Sequence, residues 1–167
     1  NGEAVTPRTH LLAWPALAVI LLDQATKWAV TRWVHPHETI PVVKGFFNLV
    51  HVRNRGMAFG LMNDPGSTLQ TYLLLGASLL AICILLWWFK RLGEGGWGLA
   101  LCLSLVLGGA VGNLADRFRL GEVIDFVDIY LGYYHWPAFN VADSAITIGT
   151  LGLALGLFFK REGSGRS

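Results

Sequence analysis

Asp125 stands between Ile124 and Phe126 in the stretch EVIDFVDIY, and Asp143 follows Asn140 by three residues at the head of an apolar run, FNVADSAITIGTLGLALGLFF. Asp23, Asn54, Asn113, Asp116 and Arg117 complete a set of polar side chains scattered through an otherwise greasy chain. Two aspartates brought together in a partly dry cleft cannot both ionise easily, so one carboxyl pKa rises and the pair shares a proton. The charged member can take a proton from a water, and the protonated member can polarise a carbonyl. That is peptide hydrolysis with neither metal nor cofactor, and neither is expected here.

Other hydrolytic chemistries lack their residues. Intramembrane zinc proteolysis wants His-Glu-x-x-His, but the only His-Glu pair is His37–Glu38, followed by Pro41 at the position of the second histidine. The five histidines are dispersed, which disfavours a metal site. Ser78 and Ser104 lie in apolar segments with no histidine nearby in sequence to act as a base. Cys83 and Cys102 sit inside apolar runs and read as small core hydrophobes rather than a disulfide or metal pair. No glycine-rich phosphate loop follows a strand.

The elements that must position these residues follow from composition. The chain has 167 residues, 53% of them hydrophobic and 14% charged, against about 25% charged in soluble domains. A net charge of +2 and the lack of a basic run exclude nucleic acid as a partner. The seven tryptophans suit a membrane protein, where indoles gather at the interfaces. Crossing a bilayer takes roughly 20 apolar residues of helix. Four segments of that kind run from about 11–30, 67–89, 97–115 and 138–159. The first is long and broken by polar residues, unlike a cleavable signal peptide. The chain reads as one domain, an all-α membrane protein built as a bundle of four transmembrane helices. Gly108, Gly109 and Gly112 in the third segment let a neighbour approach closely.

Six of the thirteen Lys and Arg (Arg8, Lys90, Arg91, Lys160, Arg161 and Arg166) crowd into the tails and the short turn between the second and third segments. That density places both termini in the cytoplasm and the long loops, about 31–65 and 118–137, outside. GFFNLVHVRN in the first loop is rich in Phe and Val, as a strand would be, and is expected to pair with EVIDFVDI in the second as a small surface sheet. RGMAFGLM, starting at Arg55, is expected as a short interfacial helix or turn. This topology brings polar residues from every element to one membrane face.

Plain structural readings stand beside the chemical one. Asn140 with Asp143 is also a helix N-cap with an acidic third residue. Asp23 and Lys27, four apart, can pair with each other. Asp116 and Arg117 can form an ordinary interfacial ion pair, and Glu122 and Asp128 read as solvated loop charges. Asp125, with no cation next to it in sequence, has no such account. A proton-coupled carrier would want charge at the helix centres, and LLLGASLLAICILL has none. A membrane scaffold accounts for the helices but not for polar groups gathering on one face.

Five motifs in order give the chain a resemblance. DQATK (Asp23–Lys27), NRGMAF (Asn54–Phe59), GGAVGNLADR (Gly108–Arg117), VIDF (Val123–Phe126) and FNVADSAI (Phe139–Ile146) are similar to motifs of lipoprotein signal peptidase, signal peptidase II, the bacterial inner-membrane aspartic protease family. The resemblance covers about 11–159, and Arg55 and Met57 depart from the small residues usual at their positions. It implies that Asp125 and Asp143 are the catalytic dyad and that Asn54, Asn113, Arg117 and Asn140 line the substrate site. It further implies supporting roles for Asp23, Lys27, Gly56, Asp116 and Ala142. The implied substrate is a prolipoprotein whose cysteine carries a diacylglyceryl group, cut on the amino side of that cysteine. Implied too are a monomer in contact with membrane lipids, a periplasmic sheet cradling the substrate beside a short periplasmic helix, and inhibition by a cyclic-peptide antibiotic of the globomycin type.

Overall fold

The computed structural model describes residues 7–56, 68–91 and 96–164. In chain order it has α1 (Pro7–Trp33), β1 (Thr39–Val43), β2 (Phe47–Asn54), α2 (Thr68–Arg91), α3 (Trp97–Leu120), β3 (Val123–Leu131), β4 (Tyr134–His135) and α4 (Val141–Ser164). The expected helix around 55–62 falls largely on residues outside those described. Among the described residues, three helices are long and apolar enough to cross a membrane: α2, α3 and the Val141–Phe159 part of α4. At 27 residues α1 has the length, but Asp23, Gln24 and Lys27 dilute its apolar content.

α1, α3 and α4 pack closely because glycine opens the contact. A Cβ on Gly108 would lie 2.7 Å from the Ala16 carbonyl oxygen of α1, and one on Gly109 would run into the Ala142 carbonyl of α4. Only glycine lets backbones meet at such distances. α3 runs five residues beyond its expected end. It stops at Gly121, whose φ of 73° is the left-handed conformation and whose N–H returns to the Arg117 carbonyl. β3 begins two residues later.

The four strands form an antiparallel sheet in the order β1-β2-β3-β4. The pairing expected between the two loops is present, with Val52 opposite Asp125 and Asn54 opposite Val123. β1, a partner for β2 on its other edge, was not foreseen. A register shift between Leu49 and Val52 makes Val50 and His51 successive buried residues. Such a bulge flips the side-chain alternation beyond it, and it thereby sets Asn54 on the same face as Asp125. The sheet seats on the end of α1 through a core of Val30, Val34, Ile124 and Phe126. Each such buried side chain stabilises the seat by roughly 1.5–3 kcal/mol.

Two readings of the cysteines and acids are corrected here. Cys83 is exposed on α2, which buries no residue, and Cys102 of α3 is only partly buried, both as free thiols. Glu122 and Asp128 are not solvated. Glu122 is buried between Arg53 Nη1 at 2.7 Å and Arg55 Nε at 3.1 Å. Asp128 is buried and accepts Asn48 Nδ2 at 2.8 Å while lying 2.8 Å from His135 Nδ1. These partners replace the lost hydration, and Arg53 and Asn48 among them come from β2, far away in sequence.

Candidate active site

Asn140 organises the site. It precedes the first turn of α4, and its Oδ1 accepts the Asp143 N–H at 2.9 Å. Its own N–H donates to Asp143 Oδ2 at 3.3 Å. This reciprocal capping satisfies two donors that the helix cannot. The Asn140 Nδ2 group also donates to Asp125 Oδ1 at 2.7 Å and to the Ile124 carbonyl at 3.2 Å. One asparagine thus holds both carboxylates, and the cap is part of the site rather than a rival to it.

Asp125 is 2% exposed, and its second oxygen accepts Asn54 Nδ2 at 2.9 Å. Burial pushes its carboxyl up to about 6, and the Asp143 charge adds to the rise, while the amides of Asn54 and Asn140 and the Lys27 ammonium pull it back. Asn54 is set by its own turn: its Oδ1 accepts the Gly56 N–H at 2.8 Å, and Gly56 has φ 78°, a conformation that a side chain would strain.

A layer of charge lies beneath. Lys27 Nζ is 2.8 Å from Asp23 Oδ2, 2.7 Å from Asp116 Oδ2 and 3.0 Å from Asn113 Oδ1, so its three protons find three acceptors. Asn113 in turn donates to Asp143 Oδ1 at 2.8 Å. Asp23 Oδ1 accepts the Ala142 N–H at 2.9 Å, putting a carboxylate from α1 at the positive end of α4. The expected Asp23–Lys27 pair is present. The expected pairing of Asp116 with Arg117 is not: Asp116 goes to Lys27, and Arg117 Nη1 reaches Ser78 Oγ of α2 at 3.5 Å. Ionic order follows from helix geometry, because adjacent residues on a helix do not face each other.

Every candidate residue therefore falls in one connected region except Arg117, which flanks it from α3. One participant went unnamed. Gln24 donates to Asp116 Oδ1 at 2.9 Å and to the Gly112 carbonyl at 3.3 Å. Its signal was an amide directly after Asp23 in an apolar run. Beside Asp143 opens a mostly apolar cleft of 540 Å³, lined by Ile129, Trp136, Phe139, Ser144, Thr147 and Ile148.

Apolar helices thus gather two carboxylates under one asparagine at one end of the bundle, an arrangement suited to acid–base chemistry. The family model for signal peptidase (SPase) II matches residues 15–159. A lipoprotein signal peptidase of Desulforapulum autotrophicum is 48% identical over 143 residues, 86% of this chain and 88% of that protein. One of Nitratidesulfovibrio vulgaris is 47% identical over 134 residues, 80% of this chain and 81% of that protein. A bacterial membrane enzyme solved by the in meso method at 2.3 Å matches with a TM-score of 0.77 at 28% identity, over 92% of this chain and 90% of that one. The chain belongs to the signal peptidase II family and is a protease.

Proposed function

We propose that the protein removes signal peptides from diacylglyceryl-modified prolipoproteins, cleaving on the amino side of the lipidated cysteine, with Asp125 and Asp143 as a dyad sharing one proton. The observation that carries this reading is the double hold of Asn140 on both carboxylates. In the reaction, the ionised carboxylate takes a proton from a water whose oxygen adds to the scissile carbonyl. The protonated carboxyl hydrogen-bonds the developing oxyanion, and the departing nitrogen leaves with a proton from the dyad. Asn54 and Asn113 keep one oxygen of each aspartate engaged, which fixes the direction in which the others point. The apolar cleft beside Asp143 suits a greasy substrate segment.

In this reading all four helices cross the bacterial inner membrane, α1 included, because its buried Asp23 and Lys27 neutralise each other. Both termini lie in the cytoplasm and the sheet lies at the periplasmic face. The protein works as a monomer in a single membrane-embedded domain, and a globomycin-type cyclic peptide competes for the same site.

The test is signal-peptide release from a diacylglyceryl prolipoprotein by detergent-purified protein. Asp125→Asn and Asp143→Asn each lose turnover by at least roughly 10²–10⁴-fold, because asparagine keeps the shape but neither carries the charge nor titrates. The double variant is little worse than either single one, as expected for residues acting as a unit. Thermal unfolding measured alongside separates chemistry from folding. An Asp125→Asn protein that stays folded and cleaves normally ends the assignment.

A further inference from the structure

We propose that Glu122 is a positioning residue for the candidate dyad: gripped by Arg53 and Arg55, it fixes the Asn54 amide against Asp125. This rests on the reading of Asp125 as catalytic. Alternation along β2 turns Arg53 and Asn54 to opposite sides, and Arg55, the first residue past the strand, reaches the same carboxylate as Arg53. The two guanidinium groups take separate oxygens of the same carboxylate, Arg53 Nη1 at 2.7 Å from Oε1 and Arg55 Nε at 3.1 Å from Oε2. Both residues flanking Asn54 are therefore tied to the chain just before β3. Across β2, Asn54 spends its side chain on the Gly56 N–H and Asp125 Oδ2. Gln70, from the first turn of α2, donates to the Arg55 and Gly56 carbonyls at 2.9 and 3.2 Å and secures the same turn from a third side.

The pairing offsets the cost of burying the Glu122 carboxylate, whose side chain is only 6% exposed. The arginine side chains are 53% and 57% exposed, so the second pair adds little more to folding. What the grip does fix is a peptide segment one residue long on each side of Asn54. The ion pairs lie on the reverse side of β2, so they act through Asn54 rather than on substrate.

Glu122→Gln in the full-length, detergent-solubilised protein separates this from a merely structural role. Turnover falls roughly 10- to 100-fold, since a shift of about 1 Å made away from the chemistry can cost about 10²-fold, while KM changes little. Glu122→Asp, which keeps the charge, recovers part of kcat. A ¹³C-carboxyl NMR titration gives the decisive sign and needs no activity. The groups facing Asp125 are Asn54 of β2, Asn140 and Asp143 at α4, Lys27 of α1 and Arg117 of α3, and the substitution leaves all their charges in place. Removing a negative charge nearby lowers a carboxyl pKa, whereas losing the Asn54 donor raises it. The expected result is an upward shift in Glu122→Gln, as in Asn54→Ala, with no further rise when the two are combined. An unchanged or lowered Asp125 titration, additive shifts, or an effect confined to KM overturns the proposal. Full turnover in a folded Asp125→Asn protein would instead overturn the dyad, whatever Glu122 does.

Discussion

α2 and α3 are neighbouring helices of 24 residues each, and both are apolar enough to cross a bilayer. α2 buries no residue. α3 buries eight, among them Gly108, Gly109, Gly112, Asn113 and Asp116. In a water-soluble protein the more uniformly greasy helix would be the inner one. Here the order is reversed: α2 exposes Leu73, Leu80 and Ile84, and α3, interrupted by glycine, amide and carboxylate, sits in the middle. Lipid solvates leucine as well as any core does, so apolar content gives a helix no reason to turn inward. Polar groups supply that reason, because each must find a partner within the protein. The interruptions in α3 are what make it central.

Substitutions matched across the two helices test that contrast. The largest difference is expected from Asn113→Leu set against Leu79→Ala. Asn113 stands between Lys27 and Asp143, so leucine there reduces turnover by at least about 10²-fold through misplacement of the proposed dyad. It also destabilises by roughly 1–3 kcal/mol through the partners it abandons. Leu79 is exposed, and its truncation stays within roughly 0.5 kcal/mol in an unfolding assay. Equal losses at the two positions would break the contrast.

A glycine pair comes next. A methyl on Gly109 meets the Ala142 carbonyl and lies 2.8 Å from Ile146 Cγ1, while one on Gly76 meets nothing within 4 Å. Gly109→Ala therefore lowers stability by roughly 1–3 kcal/mol through overpacking. Gly76→Ala raises it by roughly 0.5–1 kcal/mol, the helix preference of alanine over glycine. Opposite shifts in Tm sharpen the comparison, and shifts of the same sign dissolve it.

The smallest effect is a slope. α2 buries nothing that titrates, so the pH dependence of stability in the weakly acidic range belongs to the polar end of the bundle. The Asp125 carboxyl rises from its ordinary 3.8 to about 6 in the fold. A raised pKa means that the folded protein holds the proton more tightly. Its contribution is complete below 3.8 and is lost as pH climbs through about 6. Tm measured from pH 3.5 to 7 should fall more steeply in the parent than in Asp125→Asn, where that component is missing.

The gathering of polar residues at one face was legible in the sequence because each motif carries its own local logic. Asn140 before an apolar run announces a helix start, and Asp23 four residues before Lys27 announces a pair. The β2–β3 pairing was legible from Phe and Val content. β1 was not, since TIPVV carries Pro41 and gains its strand character from pairing with β2. The true setting of Glu122 and Asp128 was equally hidden. Arg53 lies 69 residues from Glu122 and Asn48 lies 80 from Asp128, and a lone acid looks the same in sequence whether or not a distant partner finds it. Nor does any residue type announce the bulge at Val50 and His51, which decides that Asn54 rather than Arg53 faces Asp125.

Phe139 fastens the head of α4 to β3. Its carbonyl accepts the N–H groups of Phe126 and Val127 at 3.0 and 2.9 Å, and its own N–H returns to the Val127 carbonyl at 3.1 Å. Along the backbone, Asp125 and Asp143 are separated by the whole β3–β4 hairpin, but this clasp short-circuits the path. The hairpin then hangs from the site like a side loop on a closed ring. Its tip, at Gly132 and the fully exposed Tyr133, is where the chain can be cut by a protease, lengthened, or spliced to a reporter domain without the two aspartates parting company.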